Sequence, residues 1–146
     1  MQQLTKQVFT ETDIPGCNPS FVVTKEGIVM IDSPQMPSDA MQWREAMQGH
    51  GEVRYLLNTE PHRDHVMGNF FFPATVIAHQ ATREAVLGLS MQAVMERIEE
   101  LDPEGLALTK GYYVRNASIT FTEEACVYAG DHTFKLMHLP GHCWSQ

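Results

Sequence analysis

The segment that most constrains the fold is an apolar run that passes directly into a loop crowded with ionisable side chains. The run, Val53–Leu57, is typical of a buried strand. Four side chains that can bind a divalent metal fall within six positions of the following loop: Glu60, His62, Asp64 and His65. The sequence therefore predicts a strand that ends in a metal-binding loop.

A further potential ligand, His142, lies far along the chain. It follows Pro140-Gly141 and a strand-like segment, Thr133–Leu139. Imidazole and carboxylate are suitable ligands for zinc, and also for iron or manganese, and a site that keeps an open position for water can act as a catalyst. A bound metal lowers the pKa of water from 15.7 to about 7, which supplies hydroxide at neutral pH. The pattern favours metal-assisted hydrolysis.

The spacing of the ligands within the loop favours two metal positions. In an extended or looping backbone, Glu60, His62 and Asp64 alternate at a spacing of two and can converge on one side. His65 is adjacent to Asp64 and must then point elsewhere. We therefore predict that two metal positions share this loop.

Composition indicates one domain and excludes several classes of partner. A chain of 146 residues with 43% hydrophobic residues suits a single globular domain. It carries 18 acidic against 10 basic residues, a formal charge of −8, and no Lys/Arg cluster, so we expect neither nucleic acid nor an anionic membrane as a partner. The first residues lack the pattern of a secretion signal and no apolar run could span a bilayer, so we expect a cytoplasmic protein.

Strand and helix signals occur in the order of an α/β or α+β fold. Strands are predicted at about Leu4–Thr10, Phe21–Thr24, Ile28–Ile31, Val53–Leu57, Thr75–Ala78, Ser118–Thr122, Ala125–Tyr128 and Thr133–Leu139. Ser38 can cap a helix that ends near Gly49, and apolar periodicity between Ala81 and Leu101 predicts one bent helix or two consecutive ones. This order predicts a mixed sheet with helices on one face.

The remaining histidines and the cysteines lack a ligand partner at useful spacing. We interpret His50, His79, His132 and His138 as structural or surface residues. No Cys-x-x-Cys pair occurs, so the three cysteines are predicted to be reduced thiols. Cys143 follows His142 directly, and since adjacent side chains usually diverge, a small buried thiol is favoured over a ligand.

The metal loop and the later histidine resemble motifs of the metallo-β-lactamase superfamily. The first motif of that family reads His-x-His-x-Asp-His, followed by Gly-Gly or Gly-Asn, and here it stands as Glu60-Pro61-His62-Arg63-Asp64-His65 with Gly68-Asn69. Pro140-Gly141-His142 is similar to the family's Pro-Gly-His-[Ser/Thr] motif, and Ile31-Asp32 closes an early strand. All 146 residues follow the order of the family's N-terminal half.

The resemblance implies a role for each candidate residue. The first metal would be surrounded by Glu60, His62 and His142, and the second would take ligands from Asp64 and His65. Asp64 would also be catalytic, because it would orient the attacking water or protonate the leaving group. Asp32 would support the loop from behind the ligands. Glu60 stands where the family usually has histidine, and its added negative charge would make a bound water less acidic.

A complete member of the family folds as an αβ/βα sandwich of two similar halves, with the metals at one edge. We therefore expect this chain to be the N-terminal half, a single domain truncated after the His142 motif. Half of the sandwich would leave an apolar sheet face bare, which is unfavourable at roughly 25 cal/mol per Å². We therefore expect the chain either to form a homodimer through this face or to come from a longer protein.

The resemblance implies a metal-dependent hydrolase that acts on a small-molecule substrate. One or two zinc ions, or iron or manganese, would hold a hydroxide that attacks an ester, thioester, lactone or amide bond. The sequence does not separate these bonds. The alternative is a catalytically silent, metal-binding half-domain that acts as a scaffold, and a redox di-iron member of the family is a third possibility.

Overall fold

A seven-stranded mixed sheet forms the centre of the fold. The computed structural model describes residues 1–146. The strands lie side by side in sequence order: β1 (Gln2–Gln3), β2 (Val8–Thr10), β3 (Ser20–Thr24), β4 (Gly27–Ile31), β5 (Val53–Asn58), β6 (Thr75–His79) and β7 (Ile119–Phe121). Pairs from β1 to β4 are antiparallel and pairs from β4 to β7 are parallel. The predicted mixed sheet is confirmed.

Of the strand predicted at Leu4–Thr10, the second half forms β2, whereas the first half is a turn. The backbone N–H groups of Leu4 and Thr5 both donate to the carbonyl of Val8. β1 consequently folds back on β2, with Gln3 opposite Phe9. The hydroxyl of Thr5 also accepts hydrogen bonds from the N–H groups of Gln7 and Val8, and alternation of residue types does not reveal such a turn.

Four helices accompany the sheet: α1 (Pro37–Ala46), α2 (Arg63–Val66), α3 (Gln80–Leu87) and α4 (Met91–Leu101). Short 3-10 helices cover Met67–Phe71 and Glu104–Leu108. The region from Ala81 to Leu101 thus contains two consecutive helices, and Ser90 caps the second by accepting a hydrogen bond from the N–H of Ala93. None of these helices has the length and apolar character needed to cross a bilayer.

The predicted capping role of Ser38 is wrong. Met36 is the N-cap of α1, and Pro37 occupies the first helical turn, where its fixed φ and missing N–H are well suited. The N–H and hydroxyl of Ser38 instead donate to the two carboxylate oxygens of Asp102, each over 2.8 Å. Asp102 lies 64 residues away, so this contact depends on the tertiary fold.

Alternating residues of the central strands pack against two different layers. In β4, Ile28 and Met30 join the larger core on the side of α1, where Trp43 is 1% exposed. Val29, between them, points to the opposite face and belongs to a separate cluster. This alternation follows from the two-residue period of a strand, and it shows that both faces of the sheet are buried.

A two-stranded hairpin covers the face of the sheet that we expected to be bare. Its strands are β8 (Glu124–Ala129) and β9 (His132–Met137). Val29, Leu57 and Ile77 of the main sheet are buried there, with the partly buried side chains of the hairpin packed against them. The expectation of a bare sheet face is therefore wrong, and the homodimer remains a prediction without that support.

The parallel strands bring Asp32 and the predicted metal-binding loop to one edge of the sheet. Ile31 at the end of β4 lies opposite Leu57 in β5, and Asn58 at the end of β5 lies opposite Ala78 in β6. The carboxyl ends of neighbouring parallel strands meet at the same edge, where open α/β sheets bind ligands. The residues that follow β4 and β5 are Asp32 and the loop that begins at Thr59.

Candidate metal centre

The loop after β5 turns helical within four residues. Glu60 and Pro61 have no regular secondary structure, His62 is the extended N-cap of α2, and the N–H of His65 donates to the carbonyl of His62 over 2.9 Å. The strand-like alternation predicted for this loop is therefore wrong. Because α2 rotates the chain, Nε2 of His65 returns to within 3.2 Å of Oε1 of Glu60 and does not point elsewhere.

Three of the candidate ligands converge on one carboxylate oxygen. Oε2 of Glu60 contacts Nδ1 of His62 and lies 3.6 Å from Nε2 of His142. One ligand atom from each residue lies within 4.8 Å of the other two. Glu60 is buried, whereas the side chains of His62 and His142 are 49% and 66% exposed. The group is therefore anchored in the fold and open to solvent.

The chemistry of this donor set fits a divalent metal. Two imidazoles and one carboxylate form the three-ligand set of several catalytic zinc sites, which keep a fourth position open. A carboxylate that is buried without compensating charge is unfavourable. The buried Glu60 carboxylate faces three imidazoles, and a cation held between them would compensate its charge.

Asp64 and His65 form a second pair of donors beside the first group. Oδ2 of Asp64 lies 3.6 Å from Nε2 of His65, and the Asp64 side chain is 34% exposed. The same Nε2 also faces Oε1 of Glu60, whereas Oε2 of Glu60 faces His62 and His142. Each oxygen of this carboxylate therefore faces a different group of candidate ligands. The structure thus brings all five candidate ligands to one edge of the sheet, in two adjoining groups.

Asp32 orients the imidazole of His65. Oδ2 of Asp32 lies 2.9 Å from Nδ1 of His65, which leaves Nε2 free to face the other donors. The N–H and hydroxyl of Thr59 both donate to Asp32, over 2.8 and 2.6 Å. Asp32 has a φ of 55°, a conformation that non-glycine residues adopt rarely and often at functional sites.

The surroundings of His65 favour its protonated form. Burial acts to lower the pKa of His65, but the hydrogen bond and charge of Asp32 and the charges of the nearby carboxylates outweigh this effect. The pKa of the imidazole is therefore raised above its ordinary value. The same negative charges would also attract a metal cation, which would bind the neutral imidazole in place of the proton.

A network of buried amides and a hydroxyl fixes the loop. Asn69 exchanges hydrogen bonds with Asn58, and its Oδ1 accepts from the hydroxyl of Ser33 over 2.8 Å. Nδ2 of Asn58 donates to the carbonyl of His65 over 3.0 Å. This network was not predicted, although Asn58 and Asn69 flank the ligand-rich segment and polar residues next to a buried strand are a detectable signal.

The histidines interpreted as structural do lie in structural contacts. His79 caps α3 by accepting from the N–H of Ala81, and its ring stacks on that of His138 at 4.1 Å. His50 packs against Phe9 and Phe21. None of these three imidazoles belongs to the group formed by the candidate ligands.

Contrary to the expectation for adjacent residues, the side chain of Cys143 does not diverge from that of His142. Its Sγ lies 4.0 Å from Oε2 of Glu60, on the same oxygen that His142 approaches. Adjacent side chains diverge in a strand, but residues 141 to 144 form a bend followed by a turn. This irregular backbone allows both side chains to face Glu60.

Replacing Asp32 with alanine is expected to weaken metal binding 10- to 100-fold, roughly the effect of losing a group that orients a ligand. The imidazole of His65 would lose its fixed orientation and the loop would lose the anchor of Thr59. Affinity can be measured by competition with a chromophoric chelator. Asp13→Ala, at an exposed carboxylate, is the control. Equal affinities for the Asp32→Ala variant and the unmodified protein would contradict this role.

Comparison with known proteins agrees with the fold and places the chain in a family. The model of the metallo-beta-lactamase superfamily matches residues 13–143. No curated protein is significantly similar in sequence.

Several solved structures share the fold at low sequence identity. A B3 metallo-β-lactamase with an active-site glutamic acid is 19% identical, with a TM-score of 0.70, and the match covers 99% of this chain and 53% of that chain. BJP-1, a subclass B3 enzyme of Bradyrhizobium japonicum, is 20% identical, with the same TM-score and coverage. A Cronobacter sakazakii metallo-β-lactamase with an HARLDQ motif is 20% identical, with a TM-score of 0.64, over 95% of this chain and 57% of that one.

The chain spans about half the length of these proteins. Because the family match extends over most of its residues, the chain belongs to the metallo-β-lactamase superfamily.

Proposed function

We propose that the chain is a metal-dependent hydrolase that cleaves an ester, thioester, lactone or amide bond of a small molecule. The observation that carries the proposal is the convergence of Glu60, His62 and His142, whose ligand atoms lie within 4.8 Å of one another. Membership of the superfamily supports the same reading of these residues. The exposed imidazole edges leave room for a substrate to approach.

Zinc is the metal that we propose for this site. Two imidazoles and a carboxylate bind zinc in several hydrolases, although iron and manganese accept similar ligands. When bound, the metal would supply an activated water and would polarise the carbonyl group of the substrate. Glu60 and the two imidazoles would hold it, and Asp64 and His65 would offer donors to a second ion.

Asp64 is the residue that we propose for proton transfer. Its carboxylate is partly exposed and its Oδ2 lies 3.6 Å from Nε2 of His65, so it can accept a proton from an attacking water and return it to the leaving group. Asp32 holds the imidazole of His65 in place. The chain therefore provides a candidate general base, Asp64, and a second carboxylate, Asp32, that holds the neighbouring imidazole of His65 in position.

Glu60 departs from the family motif, which usually has histidine at this position. One of the similar structures has an active-site glutamic acid. We infer that Glu60 is a metal ligand in the site of this chain. A carboxylate ligand adds one negative charge compared with neutral imidazole. We therefore expect a bound water to be less acidic than at a site with three histidines.

The test combines metal content with turnover on the same protein preparation. Protein freed of metal by a chelator is reconstituted with zinc, iron or manganese, and bound metal is measured by mass spectrometry. Hydrolysis is then followed with a chromogenic β-lactam, a nitrophenyl ester, an acyl thioester and a lactone. We expect roughly one metal ion per chain or more and a turnover that chelation abolishes and the metal restores.

Two results would overturn the proposal in different ways. Failure to bind any of the three metals would remove the metal centre itself. Stoichiometric binding without hydrolysis of any substrate in the panel would reject the enzyme and favour the metal-binding scaffold.

A further inference from the structure

The thiol of Cys143 lies beside the candidate metal centre on the side of Glu60, outside the group of three residues whose ligand atoms all lie within 4.8 Å of one another. Its Sγ is 4.0 Å from Oε2 of Glu60, and Nε2 of His142 lies 3.6 Å from the same oxygen. Around a tetrahedral zinc ion with bonds of about 2.0 to 2.3 Å, neighbouring ligand atoms are roughly 3.3 to 3.8 Å apart. Both separations are within a few tenths of an ångström of this range.

The position of Cys143 is fixed by contacts on either side of it. The hydroxyl of Thr82 donates to the carbonyl of Ser145 over 2.8 Å. Nε2 of His138 bonds to the carbonyl of Trp144 over 2.6 Å, and the N–H of Leu139 donates to the carbonyl of Gln146 over 3.1 Å. These bonds tie the segment 139–146 to α3 and to the end of β9, so the thiol is held beside Glu60 by the fold.

The thiol has no other strong partner. Besides Glu60, its Sγ contacts only the hydroxyl of Ser145, at 3.7 Å, and a thiol is a weak hydrogen-bond donor. It forms no disulfide. The family motif that resembles this segment has serine or threonine after the histidine, so the sulfur at this position departs from that motif.

We propose that Cys143 is a fourth ligand of the centre formed by Glu60, His62 and His142, and that its sulfur directs the site towards zinc-like metals. The inference rests on the proposed metal centre and deepens it. On binding, the S–H bond breaks, the proton passes to solvent, and the thiolate forms a bond to the metal. Thiolate favours zinc and cobalt over manganese, which prefers oxygen ligands.

Four protein ligands also change the access of water to the centre. Structural zinc sites are closed by four protein ligands, whereas catalytic sites leave one position for water. A bound Cys143 thiolate would therefore compete with the attacking water. Hydrolysis would require the sulfur to leave or the coordination to expand to five.

Cobalt(II) binding to the full chain tests the assignment directly. A thiolate bonded to cobalt gives an intense charge-transfer absorption in the near ultraviolet, which oxygen and nitrogen ligands do not give. We expect this absorption in the unmodified protein and its loss in Cys143→Ser, with cobalt still bound. Cys126→Ser is the matched control because Cys126 is exposed on the hairpin, and this variant should retain the absorption.

Metal preference provides a second, independent measurement. We expect Cys143→Ser to lower the affinity for zinc at least tenfold while the affinity for manganese changes little, because serine keeps an oxygen at this position. Competition of the two metals on the unmodified protein and on Cys126→Ser gives the reference ratio. An unchanged zinc-to-manganese ratio in Cys143→Ser would count against a sulfur ligand.

Each outcome of the cobalt experiment decides the assignment. Stoichiometric cobalt binding without the absorption would overturn the role of Cys143 and leave the proposed centre intact. Absorption that persists in Cys143→Ser would assign the sulfur to another cysteine and would also overturn it. If the unmodified protein bound no cobalt or zinc at all, both this inference and the proposed function would fail.

Discussion

Replacing His62 with alanine is expected to remove most of the bound metal. The change removes a ligand of the metal itself and leaves Glu60 and His142, with the proposed thiol of Cys143 as the sole further donor to this group. The loss in affinity should exceed the roughly 100-fold upper range for losing a group that merely orients a ligand. Metal content after dialysis against a weak chelator, together with a titration of affinity, measures the effect.

The stability of the metal-free protein should barely change in the same variant. The His62 side chain is 49% exposed, and substitutions at such positions usually alter the free energy of unfolding by no more than about 0.5 kcal/mol. His132→Ala, on the hairpin, controls for nonspecific binding by surface histidines. Unchanged metal content in the His62→Ala variant, or an equal loss in His132→Ala, would reject the assignment of the loop.

The sheet and the edge that carries the site could be predicted because strongly apolar segments leave few alternatives. Val53–Leu57 is too apolar for an exposed strand, and the structure places it within β5, at the centre of the sheet. A ligand-rich loop directly after such a strand must lie at the carboxyl end of the sheet. The chain order therefore locates the site before any side-chain geometry is known.

The arrangement of ligands within the loop could not be predicted, because it depends on a single turn of helix. The two-residue period assumes an extended chain, but α2 begins directly after His62. The carbonyl of His65 also accepts hydrogen bonds from Ser33 and Asn58. These partners come from two other parts of the chain. The sequence of the loop itself does not indicate that they bind there.

The packing of the β8–β9 hairpin on the second face of the sheet could not be predicted for a similar reason. The apolar residues Val127, Phe134 and Leu136 were recognised as parts of strands, and their alternation defines one apolar face on the hairpin. Their partner in the structure is the cluster of Val29, Leu57 and Ile77. Periodicity shows that a face will be buried, but it does not identify the surface that buries it.

Replacing Gly68 with alanine is expected to destabilise the protein by about 3 kcal/mol or more, at the upper end of the usual cost of overpacking. Gly68 lies in the 3-10 helix that follows α2, and a Cβ atom there would overlap the carbonyl oxygen of Pro34 and lie 3.2 Å from Cβ of Ser33. Since the obstacle is backbone, it cannot be relieved by rotating a side chain. The free energy of unfolding from chemical denaturation measures the cost.

The same substitution should also weaken metal binding, because the displaced segment holds the ligand loop. The N–H and hydroxyl of Ser33 both donate to the carbonyl of His65, each over 3.1 Å, and these bonds lengthen if Pro34 and Gly68 move apart. Gly88→Ala is the matched control, because a Cβ atom at Gly88 meets nothing closer than 3.4 Å and its φ is −83°. That variant should be neutral or more stable by roughly 0.4 to 1 kcal/mol, since alanine restricts the unfolded chain. Equal stability of the Gly68→Ala and Gly88→Ala variants would show that the two loops are not packed as closely as this structure requires.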